Sequence, residues 1–175
     1  SRRQRQMCIR DRYITTIVLP HTGHVGGITF DGENVWICHS NSNTLERISY
    51  EYITKIAQDA PEYCIDASAL SDEYRLKNTP SCITCYGGRL WVATHTSFFD
   101  SEMYSYSYDK KEDKLTAVSN YNLPSKVQGV AFDDNGSIYL STSYGRNNSS
   151  YLKVYSSLLS LDKKPNEPKV KVEMP

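Results

Sequence analysis

The chain has 175 residues, 39% of them hydrophobic, and its 20 basic side chains balance 20 acidic ones. That length and composition suit a globular protein with one sizeable core, and no apolar run is long enough to span a bilayer as a helix. Fourteen tyrosines stand beside only four phenylalanines, a bias that suits half-buried strand faces whose rings keep a wet hydroxyl.

Residues 1–12 do not match the rest of the chain, because they hold five arginines and one acid without apolar periodicity. Met7-Cys-Ile-Arg-Asp-Arg12 resembles the translation of an adapter used in DNA library preparation, which would make this segment foreign to the fold. The other reading is a basic disordered tail. On the adapter reading the true N-terminus, with any signal peptide, would be missing from this sequence. Without residues 1–12 the body carries 15 basic and 19 acidic side chains, a net of −4. That balance argues against nucleic acid or an anionic membrane surface as partner.

Ile14 to Leu19 is rich in β-branched residues and predicts a strand that Pro20 ends. Three hairpins of one design come next. In the first, Gly27-Ile-Thr-Phe30 and Val35-Trp-Ile-Cys38 flank the turn Asp31-Gly-Glu-Asn34. In the second, Cys82-Ile-Thr-Cys-Tyr86 and Leu90-Trp-Val-Ala93 flank Gly87-Gly88. In the third, Val130-Ala-Phe132 and Ile138-Tyr-Leu140 flank Asp134-Asn-Gly136. A third strand is predicted over Leu45 to Tyr50. Glu51 to Asn78 breaks the repeat and reads as a long inter-blade insertion, with a short helix near Tyr52-Ile-Thr-Lys-Ile-Ala57.

Met103 to Tyr108 alternates, setting Tyr104, Tyr106 and Tyr108 on one face and Met103, Ser105 and Ser107 on the other. Lys114 to Tyr121 reads as the next strand, and Tyr151 to Tyr155 as another. A polar linker with Pro165 and Pro168 precedes a last strand, Val170 to Met174.

The repeat predicts an all-β fold, a partial β-propeller of about three blades with four antiparallel strands each, over residues 13–175. Trp36 and Trp91 are 55 residues apart, and Trp91 and Tyr139 are 48 apart. Propeller blades take roughly 40–50 residues, and the insertion at about 51–78 accounts for the longer interval. The second strand of each hairpin is apolar on both faces, as a strand between two stacked neighbours should be. Trp36, Trp91 and Tyr139 are expected at equivalent points between blades. Closed propellers have about 4–8 blades, so three predict a fragment whose partners include the remaining blades of its own chain.

Cys38, Cys64, Cys82 and Cys85 lie beyond the N-terminal segment. Cys82-x-x-Cys85 invites a metal or redox reading, but residues three apart on a strand point to opposite faces. No second Cys or Cys-His pair completes a zinc site either, and both facts argue against that reading for Cys82 and Cys85. They read as small buried hydrophobes; a Cys38–Cys64 or Cys64–Cys82 disulfide stays open for an oxidising compartment. In propellers the entry to each inner strand feeds one rim of the channel. That placement nominates His24 and Gln128, with His39 and His95 at the ends of second strands.

The loop Tyr144-Gly-Arg-Asn-Asn-Ser-Ser150 is the most distinctive on the chain. Tyr144, Arg146, Asn147 and Asn148 offer a ring, a planar donor fork and two amides for a carboxylate or sugar. Arg146 could instead cap loop carbonyls or pair with an acid of a neighbouring blade. Asp133, Asp134 and Asn135 resemble a calcium loop in composition but lack its spacing. No nucleophile elbow, phosphate-binding loop or dinucleotide fingerprint occurs.

Gly129-Val-Ala-Phe-Asp-Asp-Asn-Gly-Ser-Ile-Tyr-Leu140 resembles the repeat of gluconolactonase-like, NHL-like and quinoprotein-like propellers. The longer run from Val127 to Leu152, with Ser143-Tyr-Gly-Arg-Asn-Asn148, is similar to uncharacterised secreted propeller-repeat proteins of Gram-positive bacteria. That resemblance implies a non-catalytic, extracytoplasmic binding or scaffold module without cofactor. Its loop rim would take a carbohydrate, a peptide or a cell-wall component. The gluconolactonase-like resemblance implies instead a metal-dependent lactone or ester hydrolase, with a divalent metal such as Ca²⁺ held by one Glu, two Asn and an Asp. Here Gln128-Gly129 stands where that Glu would be expected.

Overall fold

The computed structural model describes residues 16–20, 22–59, 64–68 and 71–174. The N-terminal segment, His21 and the break at Ala60-Pro61 lie outside these residues. Fourteen strands and two helices are described. Twelve of the strands form three antiparallel sheets of four, each ordered along the sequence.

Blade 1 holds β2 (Val25–Phe30), β3 (Asn34–His39), β4 (Thr44–Ser49) and β6 (Ser71–Arg75). Blade 2 holds β7 (Cys82–Tyr86), β8 (Arg89–Ala93), β9 (Ser101–Asp109) and β10 (Lys114–Leu123). Blade 3 holds β11 (Val127–Phe132), β12 (Ile138–Thr142), β13 (Ser150–Tyr155) and β14 (Val170–Met174). β7 packs against both β2 and β11, so the first strands of the three blades stand side by side. This is the partial propeller that the repeat predicts.

The turn chemistry explains the hairpins. Gly32, Gly87, Gly88 and Gly136 all take positive φ in the tight turns, a conformation that a Cβ disfavours. Asp31 holds its turn by accepting from the backbone N–H groups of Glu33 and Asn34 at 2.8 and 2.6 Å. Asp133 accepts from the N–H groups of Asn135 and Ser137 at 2.9 and 2.8 Å.

Register then decides which side chains share a face. Trp36, Cys38 and Leu45 of blade 1 pack with Ile83, Leu90, Val92 and Tyr106 of blade 2. Trp91, Ala93 and Met103 of blade 2 pack with Val127, Ile138, Leu140 and Tyr155 of blade 3. Tyr104 and Tyr108 join the first interface and Met103 the second, so the predicted alternation of β9 holds. Cys82 and Cys85 likewise serve opposite interfaces. Cys38, Cys82 and Cys85 are free thiols, while the side chain of Cys64, the other partner in both disulfides considered, lies outside the described residues. Burial pushes the Cys82 thiol up to about 12, which keeps it protonated and inert.

Two further expectations need correction. The stretch at about 51–78 is not a long inter-blade insertion: Ser71–Arg75 is β6, the fourth strand of blade 1. The inserted part lies between the third and fourth strands. It comprises helix α1 (Tyr50–Asp59) and β5 (Cys64–Asp66), which pairs in parallel with β1 (Thr16–Val18). Ile17, Ile53 and Ala67 cover Ile37 and Ile48 on the face of blade 1 turned away from blade 2. Alternation failed as a signal because β6 is an outer strand of polar residues, Ser-Asp-Glu-Tyr-Arg, with no face buried end to end.

The expected polar linker before Val170 contains helix α2 (Leu158–Lys163). Ser157 caps it, accepting from the Ser160 N–H while the Ser160 hydroxyl accepts from the Ser157 N–H. Leu161 is fully buried and ties the helix to the second interface. The outer face of blade 3 stays open, with Val170 and Val172 exposed.

Candidate functional site

Every blade turns the same end of its hairpin toward one rim. A backbone hydrogen bond across the hairpin recurs there: Ser40 N–H to His24 O, Ser143 N–H to Lys126 O and, with the donor on the other strand, Ser81 N–H to Ala93 O. Residues 94–100, 124–126 and 143–149 therefore emerge together beside blades 2 and 3.

Lys126 joins these loops. Its N–H donates to Thr96 O at 2.7 Å, and its carbonyl accepts from Ser143 N–H at 3.0 Å. Both bonds hold the residue at φ 68°, a left-handed conformation that costs a non-glycine residue energy. The ammonium of Lys126 lies 5.0 Å from the centre of the Tyr144 ring, and the Phe98 ring meets Tyr144 at 5.8 Å in an edge contact. Phe98 and Phe99 are 77% and 80% exposed. Gly145 takes φ 67°, and the Asn148 amide donates to the Tyr144 carbonyl at 2.7 Å, closing the loop.

Beneath this loop lies a polar cleft of about 490 Å³. Tyr144, Asn147 and Asn148 line it together with Lys126, Tyr151, Lys153 and Lys171. Lys153 of β13 stands directly opposite Lys171 of β14 in the ladder. The Lys171 ammonium rests 4.0 Å from the centre of the Tyr151 ring. Burial pushes the Lys153 ammonium below its ordinary pKa, and Lys171 and then Lys126 add to this, while Asp100 opposes it.

Of the residues nominated from sequence, the structure brings Tyr144, Asn147 and Asn148 together in this cleft. Arg146 is exposed on the same loop but does not line it. His95 and Gln128 form a separate pair. The His95 Nδ1 lies 3.1 Å from Val127 O and 3.4 Å from the Gln128 amide nitrogen. The two contacts are alternatives: with a proton Nδ1 donates to the Val127 carbonyl, and without one it accepts from the Gln128 amide.

His24 lines a different cleft of about 290 Å³ on blade 1, with His39, Ser42 and Glu73. His39 Nε2 is 2.6 Å from Glu46 Oε2, both side chains being buried, and Glu46 Oε1 has no hydrogen-bond partner among the described residues. Among the described residues no three His, Cys, Asp or Glu side chains gather in a way that could hold a metal ion.

The sequence nominations omitted Lys126, Lys153, Lys171, Tyr151 and Phe98. Alternation in Tyr151-Leu-Lys-Val-Tyr155 does place Tyr151 and Lys153 on one face. Their meeting with Lys171 depends on the register of β13 against β14, which strand composition does not specify.

No protein family profile matches the chain, and no curated protein sequence matches it. Solved structures do. Hydrazine synthase of Kuenenia stuttgartiensis is similar with a TM-score of 0.51 and 10% identity, over 86% of this chain and 37% of that one. A putative 6-phosphogluconolactonase from Bacteroides uniformis is similar with a TM-score of 0.45 and 14% identity, over 93% of this chain and 45% of that one. Hydrazine synthase is a propeller-type fold, and the chain spans less than half the length of either protein. At such identity the likeness concerns the fold alone.

Proposed function

We propose that this chain is part of a non-catalytic, extracytoplasmic propeller that binds a carbohydrate, a peptide or a cell-wall component through its loop rim. One observation carries the reading: blades 2 and 3 set the exposed rings of Phe98 and Tyr144 against each other at the mouth of a polar cleft. Exposed aromatic rings beside convergent amides are the chemistry of a contact surface for hydroxylated ligands. Rigid strands hold that mouth, while the loops supply its side chains. The remaining blades of the same protein would cover the open face of blade 3.

The test is isothermal titration of the chain against cell-wall fragments, oligosaccharides and peptides, with Tyr144→Ala and Asn147→Ala as controls. Binding that both variants weaken is the expected result. A panel without heat on the parent chain, or binding that neither variant changes, removes this reading.

A further inference from the structure

The cleft that this reading uses also constrains the charge of what enters it. Lys153 and Lys171 are directly opposed on neighbouring strands, and like charges so placed repel. Lys126 adds a third ammonium from a backbone conformation that its side chain does not favour. Among the described residues no carboxylate lies within ion-pair distance of any of the three. Asp100 is close enough to be felt at Lys153, but its carboxylate accepts from the Asn166 amide at 3.0 Å. Lys126 and Lys153 are only half exposed, so water screens them less than it would surface lysines.

Two of these ammoniums lie over tyrosine rings, Lys126 over Tyr144 and Lys171 over Tyr151. Such contacts orient a cation without neutralising it. We infer that the cleft takes a saccharide bearing an anionic group, its oxyanion among Lys126, Lys153 and Lys171 and its ring and hydroxyls against Tyr144 and Asn147. This inference rests on the rim reading above and adds the ligand's charge. A polynucleotide fits less well. Tight duplex binding neutralises about 6–10 phosphates, whereas this cleft offers three lysines on a body of net charge −4.

The experiment titrates the chain with tri-galacturonate, glucose 1-phosphate, maltotriose, inorganic phosphate and poly-dT. The expected result is that one or both anionic sugars bind at least about tenfold tighter than maltotriose and weaken as salt rises. Carboxylate and phosphate sources are told apart by which of the two leads. Lys153→Met should weaken the anionic sugars far more than maltotriose and so remove the preference. Lys126→Asn should weaken it too, since Asn accepts the left-handed backbone and preserves the fold, checked by far-ultraviolet dichroism.

Equal binding of maltotriose and the anionic sugars, unchanged by Lys153→Met, overturns the anionic inference and leaves the rim reading standing. Inorganic phosphate as tight as glucose 1-phosphate, or poly-dT tighter than both sugars, also overturns it. If no sugar binds while the wider panel of peptides and wall fragments does, the saccharide is wrong but the rim is not. Silence across both panels removes the two together.

Discussion

The indole N–H of Trp36 donates to Asp31 Oδ2 at 2.6 Å, so the second strand of blade 1 is fastened to its own hairpin turn. Blade 3 repeats the device with a different ring: the Tyr139 hydroxyl donates to Asp133 Oδ2 at 3.1 Å. Blade 2 has no aspartate in its Gly87-Gly88 turn, and the Trp91 indole donates to the Tyr86 carbonyl at 3.0 Å instead. Trp36 faces blade 2, Trp91 faces blade 3, and Tyr139 lies on the open side of blade 3.

Asp31→Ala should therefore destabilise the chain. It strands the indole of Trp36, which is fully buried, and the N–H of buried Asn34, while the exposed N–H of Glu33 can turn to water. Leaving buried donors unpaired costs about 1–3 kcal/mol. Urea denaturation followed by tryptophan fluorescence would show it, and an unchanged midpoint would mean that the carboxylate contributes nothing to stability.

At Gly26 the first strand of blade 1 lies against the backbone of Ser81, just before blade 2. A Cβ there would lie 2.8 Å from the Ser81 carbonyl carbon, and neither backbone can yield without moving a sheet. Gly26→Ala is expected to cost about 1–3 kcal/mol or more. Gly129 provides the contrast, because its nearest obstacle is the Ser141 hydroxyl, which can rotate away. Gly129→Ala should stay within about 1 kcal/mol of the parent. Thermal melts of both variants, compared side by side, decide the point.

The second interface should be far more sensitive than the open face. Trp91 is 4% exposed and meets Phe132 at 4.9 Å and Tyr121 at 5.8 Å. Trp91→Ala should cost about 3–5 kcal/mol. Val172, half exposed on the open face, should change stability by less than about 0.5 kcal/mol when made alanine. Similar losses from the two substitutions would show that the open face is covered in solution.

Acid should loosen the turns. For Asp31, burial raises the carboxyl, but the bonds from the Trp36 indole and the backbone of Asn34 and Glu33 outweigh it and hold the carboxyl below the usual 3.8. For Asp133, the backbone bond from Ser137 leads in lowering it. A carboxyl whose folded value is depressed contributes stability that is complete above the unfolded value and lost as pH falls through the folded one. Stability should thus decline below about pH 4. Asp31→Ala and Asp133→Ala should each flatten that decline, as denaturation midpoints measured at several pH values would reveal.

Much of the architecture was legible because the hairpins rest on local chemistry. Asp-Gly, Gly-Gly and Asn-Gly turns, leading into strands apolar on both faces, predict the first two strands of each blade. The alternation of Tyr104, Tyr106 and Tyr108 predicts that the three rings share one face, and they do. The fourth strand of blade 1 was hidden because Ser71–Arg75 is polar, and an outer strand needs only backbone partners. Helix α2 was hidden because its Ser157–Ser160 cap uses a serine where the common signature has a glutamate or glutamine.

By itself the sequence determined the repeat, the turns and the alternating faces, all of which depend on residues within a few positions of each other. Tertiary structure alone decided that Lys126, Lys153 and Lys171 share one cleft while Arg146 stands outside it and His24 belongs to another. The physical reason is register: the opposition of Lys153 and Lys171 is set by how β13 slides against β14 across the intervening helix. Lys126 arrives there only because its backbone is held between Thr96 and Ser143.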